Sequence, residues 1–91
     1  MACLFSTNKI TYLKTKEGRD YILDQSLDEI EKTIEAEQFF RISRKHIVAV
    51  DSIKEITAYS NSRLKLSLQV DFEEELIVSR EKVNDFKLWL S

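Results

Sequence analysis

The sequence predicts a mainly β domain: antiparallel sheets built from hairpins, with one helix in the middle and one at the C-terminal end. Three observations carry this expectation. Leu64-Lys65-Leu66-Ser67-Leu68-Gln69-Val70 alternates apolar and polar residues, the period-2 pattern of a strand with one buried face. Lys9–Thr15 and Asp20–Asp24, rich in β-branched and aromatic residues, flank Lys16-Glu17-Gly18-Arg19, where Gly18 can take the positive φ of a tight turn. Ser26 and Ser79 each precede apolar residues at helical spacing.

In chain order, Lys9–Thr15 is the first expected strand, and Asp20–Asp24 returns as its hairpin partner. Ser26 opens a helix; Glu29, three positions on, completes a capping box. Leu27, Ile30 and Ile34 form its apolar stripe, and Asp28, Glu29 and Glu31 sit where the helix dipole favours negative charge. The helix is expected to end near Glu37. Phe39-Phe40 marks a buried anchor, and Ile47–Val50 is an apolar run of buried-strand type. After the turn Asp51-Ser52, Ile53–Tyr59 and Leu64–Val70 form a hairpin across Ser60-Asn61-Ser62-Arg63, and Glu75–Val78 pairs next. Ser79 is expected to cap the last helix, which carries Val83, Phe86 and Leu90 on one stripe with Trp89 beside them. Phe39, Phe40, Phe86 and Trp89 lie where helices must dock and read as core.

Composition narrows the function. Ninety-one residues make one domain, 43% apolar and 33% charged, with no proline and one glycine. Glycine-rich phosphate loops need several glycines close together and are excluded. No apolar run approaches the roughly 20 residues of a membrane span. A single cysteine, Cys3, forms no internal disulfide or thiolate cage, so a reducing cytoplasm is the expected compartment. His46 is the only histidine, far from Cys3, and no nucleophile with an oxyanion loop accompanies it. No enzyme activity, metal or cofactor is expected. Net charge is −2, from 14 basic and 16 acidic residues, a poor footprint for nucleic acid taken whole. Its distribution is uneven. Residues 39–65 hold six basic residues and two acidic ones, a local charge of +4, while residues 28–38 hold five acidic residues against Lys32. Such a segment can steer one face toward phosphate, or be no more than a solvated strand face.

Three motifs resemble one family at matching order and spacing: the helix opening Ser26-Leu27-Asp28-Glu29, then Phe39-Phe40-Arg41-Ile42-Ser43-Arg44 with Ile47-Val48 following, then Val78-Ser79-Arg80 before the last helix. The family is the LytTR DNA-binding domain, and the likeness runs from about Phe5 to Leu90. The resemblance implies an output module of bacterial two-component response regulators. It implies a fold of antiparallel β with short helices, and DNA read by loops entering successive major grooves. Two such domains commonly occupy a promoter direct repeat.

Carried over by position, the implied DNA-binding residues are Asn8 and Lys9, then Ser43, Arg44 and Lys45, then Ser79, Arg80 and Lys82. Arginine can pair bidentately with guanine, which suits Arg44 and Arg80. Lys9, Lys45 and Lys82 suit phosphate oxygens, and Ser79, as a cap, leaves helix amides near a phosphate. Without the resemblance, Arg80 reads as a partner of Asp85 or Glu81, His46 as a packed or half-exposed residue at a sheet edge rather than a phosphate contact, and Arg41 as a structural residue that stacks on the aromatic pair or bonds backbone. Arg63, at a hairpin top, reaches DNA or only water. Two departures are visible. Met1-Ala2-Cys3 stands where the family usually has one or two further strands and no receiver domain precedes it, so an N-terminally truncated domain with an open sheet edge is expected. Ala49 stands where asparagine is common, so a polar side chain is missing at that position. The open edge suggests a homodimer. It also supports a rival reading, a protein-interaction or dimerisation module that has lost DNA binding through truncation.

Overall fold

A computed structural model describes residues 1–91. Eight strands form two antiparallel sheets, and the backbone hydrogen bonds of the turns tie them together. Strands β1 (Cys3–Thr7), β2 (Ile10–Lys14), β3 (Asp20–Leu23), β4 (Phe39–Ser43) and β5 (His46–Ala49) make the larger sheet, in the order β3-β2-β1-β5-β4. Strands β6 (Ile53–Tyr59), β7 (Arg63–Leu68) and β8 (Leu76–Val78) make the smaller one, in sequence order. Helix α1 (Leu27–Glu31) lies between β3 and β4, and α2 (Val83–Leu90) ends the chain. The expected mainly β architecture with a middle and a terminal helix is therefore the one observed.

The core lies between the sheets. Cys3, Phe5, Ile42 and Val48 from the larger sheet meet Leu66, Leu68, Leu76 and Val78 from the smaller, and Val83 and Phe86 of α2 close the end. Phe40 and Trp89 stack around Phe86, and the Trp89 indole donates to the Ala36 carbonyl at 2.7 Å. A second cluster on the other face joins Leu4 and Ile47 to Leu27 and Ile30 of α1. Alternate residues of β1 therefore serve different clusters, as side chains on a pleated strand must.

Four local expectations are corrected. Cys3–Thr7 is a strand, and it is central: it pairs with β2 through Thr7↔Ile10 and with β5 through Leu4↔Ile47. Its short apolar run carries no signal of its own; a tight turn to β2 on one side and the sequence-distant β5 on the other make it a strand. The open edges of the larger sheet are β3 and β4, and β1 leaves none. Phe39–Ser43, read as an anchor, is strand β4, with a bulge between Arg41 and Ser43. Helix α1 stops at Glu31 rather than near Glu37. Beyond it the Ile30 carbonyl accepts the Thr33 amide at 2.9 Å, the Thr33 hydroxyl at 3.0 Å and the Ile34 amide at 3.1 Å. A threonine hydroxyl competing for that carbonyl disrupts the helical ladder. Ser79, finally, caps nothing: its hydroxyl and its amide both donate to the Ile42 carbonyl, at 3.3 and 3.0 Å.

Candidate nucleic-acid interface

Strand register decides which turns share an end of the molecule. Thr7 and Ile10 close a two-residue turn, Asn8–Lys9, with both residues in the left-handed region at φ 51° and 65°. This geometry matches the twist of a hairpin, and asparagine suits it. Lysine does not, so Lys9 is held outward in a backbone state that its Cβ disfavours. Ser43 and His46 close a second two-residue turn, Arg44–Lys45. β1 runs antiparallel to β5 with Phe5↔His46, and the Ser6 amide donates to the Lys45 carbonyl at 3.0 Å. The two turns therefore stand side by side, and Lys9 and Arg44 line one cleft of about 600 Å³.

The third segment arrives through Ser79. Its bonds to Ile42 fix the chain just before Arg80 against the end of β4. Lys82 strengthens the join, its ammonium donating to the Arg41 carbonyl at 3.2 Å. Asn8, Lys9, Arg44, Lys45 and Arg80 are all exposed, and none of their cations is in an ion pair. Ser43, Ser79 and Lys82 are half-buried and engaged in holding the turns. Arg80 pairs with neither Asp85 nor Glu81. At the opposite end two cations are paired, Lys14 with Asp20 at 2.8 Å and Lys16 with Asp51 at 2.9 Å, while Arg19 in the same turn is exposed and in no ion pair.

Arg41 fixes the second turn. Its Nε donates to the Ser43 carbonyl at 3.2 Å and Nη2 to the Arg44 carbonyl at 2.7 Å, while Nη1 reaches Asp28 and Glu31 of α1. Burial pulls this guanidinium down, but the bonds from Asp28 and Glu31 outweigh it and hold its pKa above the ordinary arginine value. The same bond holds the Asp28 carboxyl below the usual carboxylate range. The acidic helix thus faces the cluster: Asp24, Asp28 and Glu29 line the cleft with Lys9 and Arg44. The capping box is formed, and the Ser26 amide and hydroxyl hold Glu29 low as well. The first turn of α1 is spent on Arg41 and on its own cap.

His46 braces the same turn from the other side. It is buried, with its ring edge-on to Phe72 at 5.7 Å. Nε2 donates to Glu74 at 2.8 Å, which leaves Nδ1 to accept the Ser43 hydroxyl at 3.1 Å. The packed reading of His46 is the observed one. Its clamp on Glu74, 28 residues away, has no signal in the sequence. Ala49 lies at the far end of β5, buried, its amide donating to Ala2 at 3.0 Å. An apolar residue at this position therefore leaves the basic turns, at the other end of the strand, as they are.

A two-sheet domain presenting basic turns at one end has the outline of a nucleic-acid-binding domain. The LytTr DNA-binding domain family model matches residues 2–91, so the chain belongs to that family. Among solved structures it is similar to the LytTr DNA-binding domain of a protein described as a methyl-accepting/DNA response regulator from Bacillus cereus. That match has a TM-score of 0.84 and 30% identity, covering 98% of this chain and 79% of the other. No curated protein sequence matches. No helix is long and apolar enough to cross a membrane.

Proposed function

We propose that this domain is the sequence-specific DNA-binding output module of a bacterial transcriptional regulator, acting in the cytoplasm under a receiver domain in a two-component system. The observation that supports it is the gathering of three sequence-distant segments at one end of the molecule, with the cations Lys9, Arg44, Lys45 and Arg80 exposed and in no ion pair. Arg44 and Arg80 read guanine edges in the major groove, Lys9 and Lys45 meet phosphates, and Asn8 offers a further polar contact. Ser43, Ser79 and Lys82 support the turns from beneath. Two copies on a promoter direct repeat would each present the same end.

The test is a binding isotherm on duplexes that the domain itself selects from a random-sequence pool. Arg44→Ala and Arg80→Ala are expected to lose about 1–3 kcal/mol of discrimination each. Lys9→Ala and Lys45→Ala are expected to weaken all sequences alike and lower the salt slope by about 0.9 each. Unchanged binding by both arginine variants overturns the assignment. A second reading, association of two copies, is favoured by one observation: β3 is an open edge carrying exposed Tyr21 and Ile22. A stable dimer that binds no DNA at low salt would establish that reading instead.

A further inference from the structure

The hairpin joining β6 to β7 presents a cation that the three turns above do not use. Tyr59 and Arg63 close it, and Asn61 and Ser62 turn the chain in the left-handed region at φ 60° and 61°. Arg63 Nε donates to the Ser60 carbonyl at 3.0 Å and Nη2 to the Ser60 hydroxyl at 3.2 Å. Its guanidinium lies 5.0 Å from the Tyr59 ring centroid. The group is fixed on three sides by its own hairpin and has no carboxylate partner. These two bonds use two of the five N–H donors that a guanidinium carries, and the rest are unengaged.

Register places this charge. Leu64 pairs with Val78, so Arg63 stands opposite Ser79, the residue before Arg80. Ser79 is the residue bonded to the end of β4. The hairpin therefore extends the basic end next to Arg80. Two arginines at neighbouring strand ends with no acid paired to either call for an anion. An anchored guanidinium with a free fork of donors fits phosphate oxygens. A group pinned to a tyrosine ring is poorly placed to search a groove for a base edge, but it costs little entropy to use on a backbone.

We propose that the β6–β7 hairpin is a fourth DNA contact, in which Arg63 grips a phosphate flanking the groove that Arg80 enters. The inference rests on the DNA-binding reading above. The test is the salt dependence of binding to the self-selected duplex for wild type and Arg63→Gln, with Trp89 fluorescence confirming the fold of each. The expected result is a salt slope lower by about 0.9 in the variant with its ranking of operator sequences unchanged. In a second arm, duplexes carrying single uncharged methylphosphonates are titrated with wild type and with Arg63→Gln. A neutral phosphate on the flank beyond the Arg80 contact should weaken wild-type binding and leave Arg63→Gln indifferent. An unchanged slope in the variant, or no sensitive phosphate on that flank, overturns the fourth contact while leaving the three-turn reading standing. Absence of DNA binding by wild type at low salt overturns both.

Discussion

Replacing Arg41 by methionine separates holding the Arg44–Lys45 turn from touching DNA. Methionine keeps much of the apolar stem but removes every bond that the guanidinium makes. Two of these reach backbone carbonyls of the turn, Ser43 at 3.2 Å and Arg44 at 2.7 Å. At about 1 kcal/mol net each, their loss should lower unfolding stability by about 2 kcal/mol. The pairs with Asp28 and Glu31 add little, because both carboxylates are open to water. Affinity should fall for a different reason. With the carbonyls released, residues 44 and 45 must be fixed again on binding, at about 1–2 kcal/mol per residue. That corresponds to a loss of about thirtyfold to several hundredfold in Kd. Urea titration followed by Trp89 fluorescence reads the first effect, and anisotropy of a labelled duplex reads the second. Because Arg41 itself meets no phosphate, the salt slope should stay at its wild-type value. A variant that loses stability but binds DNA as tightly as wild type refutes the positioning role. One whose salt slope drops by about 0.9 shows that Arg41 was a phosphate contact.

Other outcomes follow from the burial and the charges. Burial pushes the Cys3 thiol up to about 12, so the native protein should resist alkylation at pH 8 and react only at the rate of unfolding. The raised value has a sign: stability is fully present below the unfolded thiol pKa and drains as pH rises through the folded one, so Cys3→Ala should flatten any alkaline decline in the urea midpoint. Asp28, Glu29 and Asp51 have folded values lowered by Arg41, by Ser26 and by Lys16 respectively. Their contribution is present above the ordinary carboxylate range and is lost as pH falls below about 4; a urea midpoint that holds level down to pH 3 contradicts it. Phe86, fully buried between Phe40 and Trp89, should cost about 3–5 kcal/mol as Phe86→Ala, measured by calorimetry. A loss near zero would mean that α2 is not docked.

The legible parts of the molecule are those whose cause is local. Leu64–Leu68 alternates because one face meets the core, and the alternation is visible without knowing the core. Ser26 and Glu29 satisfy each other's backbone groups within four residues, so the helix start is written in the chain. Its end is not, because it depends on a threonine hydroxyl choosing a carbonyl over water. Cys3–Thr7 is a central strand because β5, distant in sequence, pairs along its second side, and nothing local in the chain shows that. The candidate site divides the same way. Residues at turn tips are legible as exposed cations near turn formers. The struts beneath them join segments 10 to 41 residues apart: Arg41 to Glu31, His46 to Glu74, Lys82 to Arg41. Only the folded sheets bring those pairs together.

The net charge of −2 misleads because DNA does not sense the molecule as a point. At physiological ionic strength a charge is felt over about 8 Å, and the domain measures 33 × 26 × 24 Å. At the end away from the turns Asp51 is paired with Lys16 and Asp20 with Lys14. Of the carboxylates that do lie close, Asp28 and Glu31 are bound to Arg41 and Glu29 to its own helix cap, which removes much of their field while putting it to use; Asp24 lines the cleft without a cation partner. What remains within reach of a duplex is a row of cations without partners, Lys9, Lys45, Arg44, Arg80 and Arg63. Each is carried by a turn that backbone bonds keep from collapsing onto its acidic neighbours. The acidic residues near the site therefore act less as a barrier to phosphate than as counterweights. They hold Arg41 in place, Arg41 holds the turn, and Arg44 stays free of them.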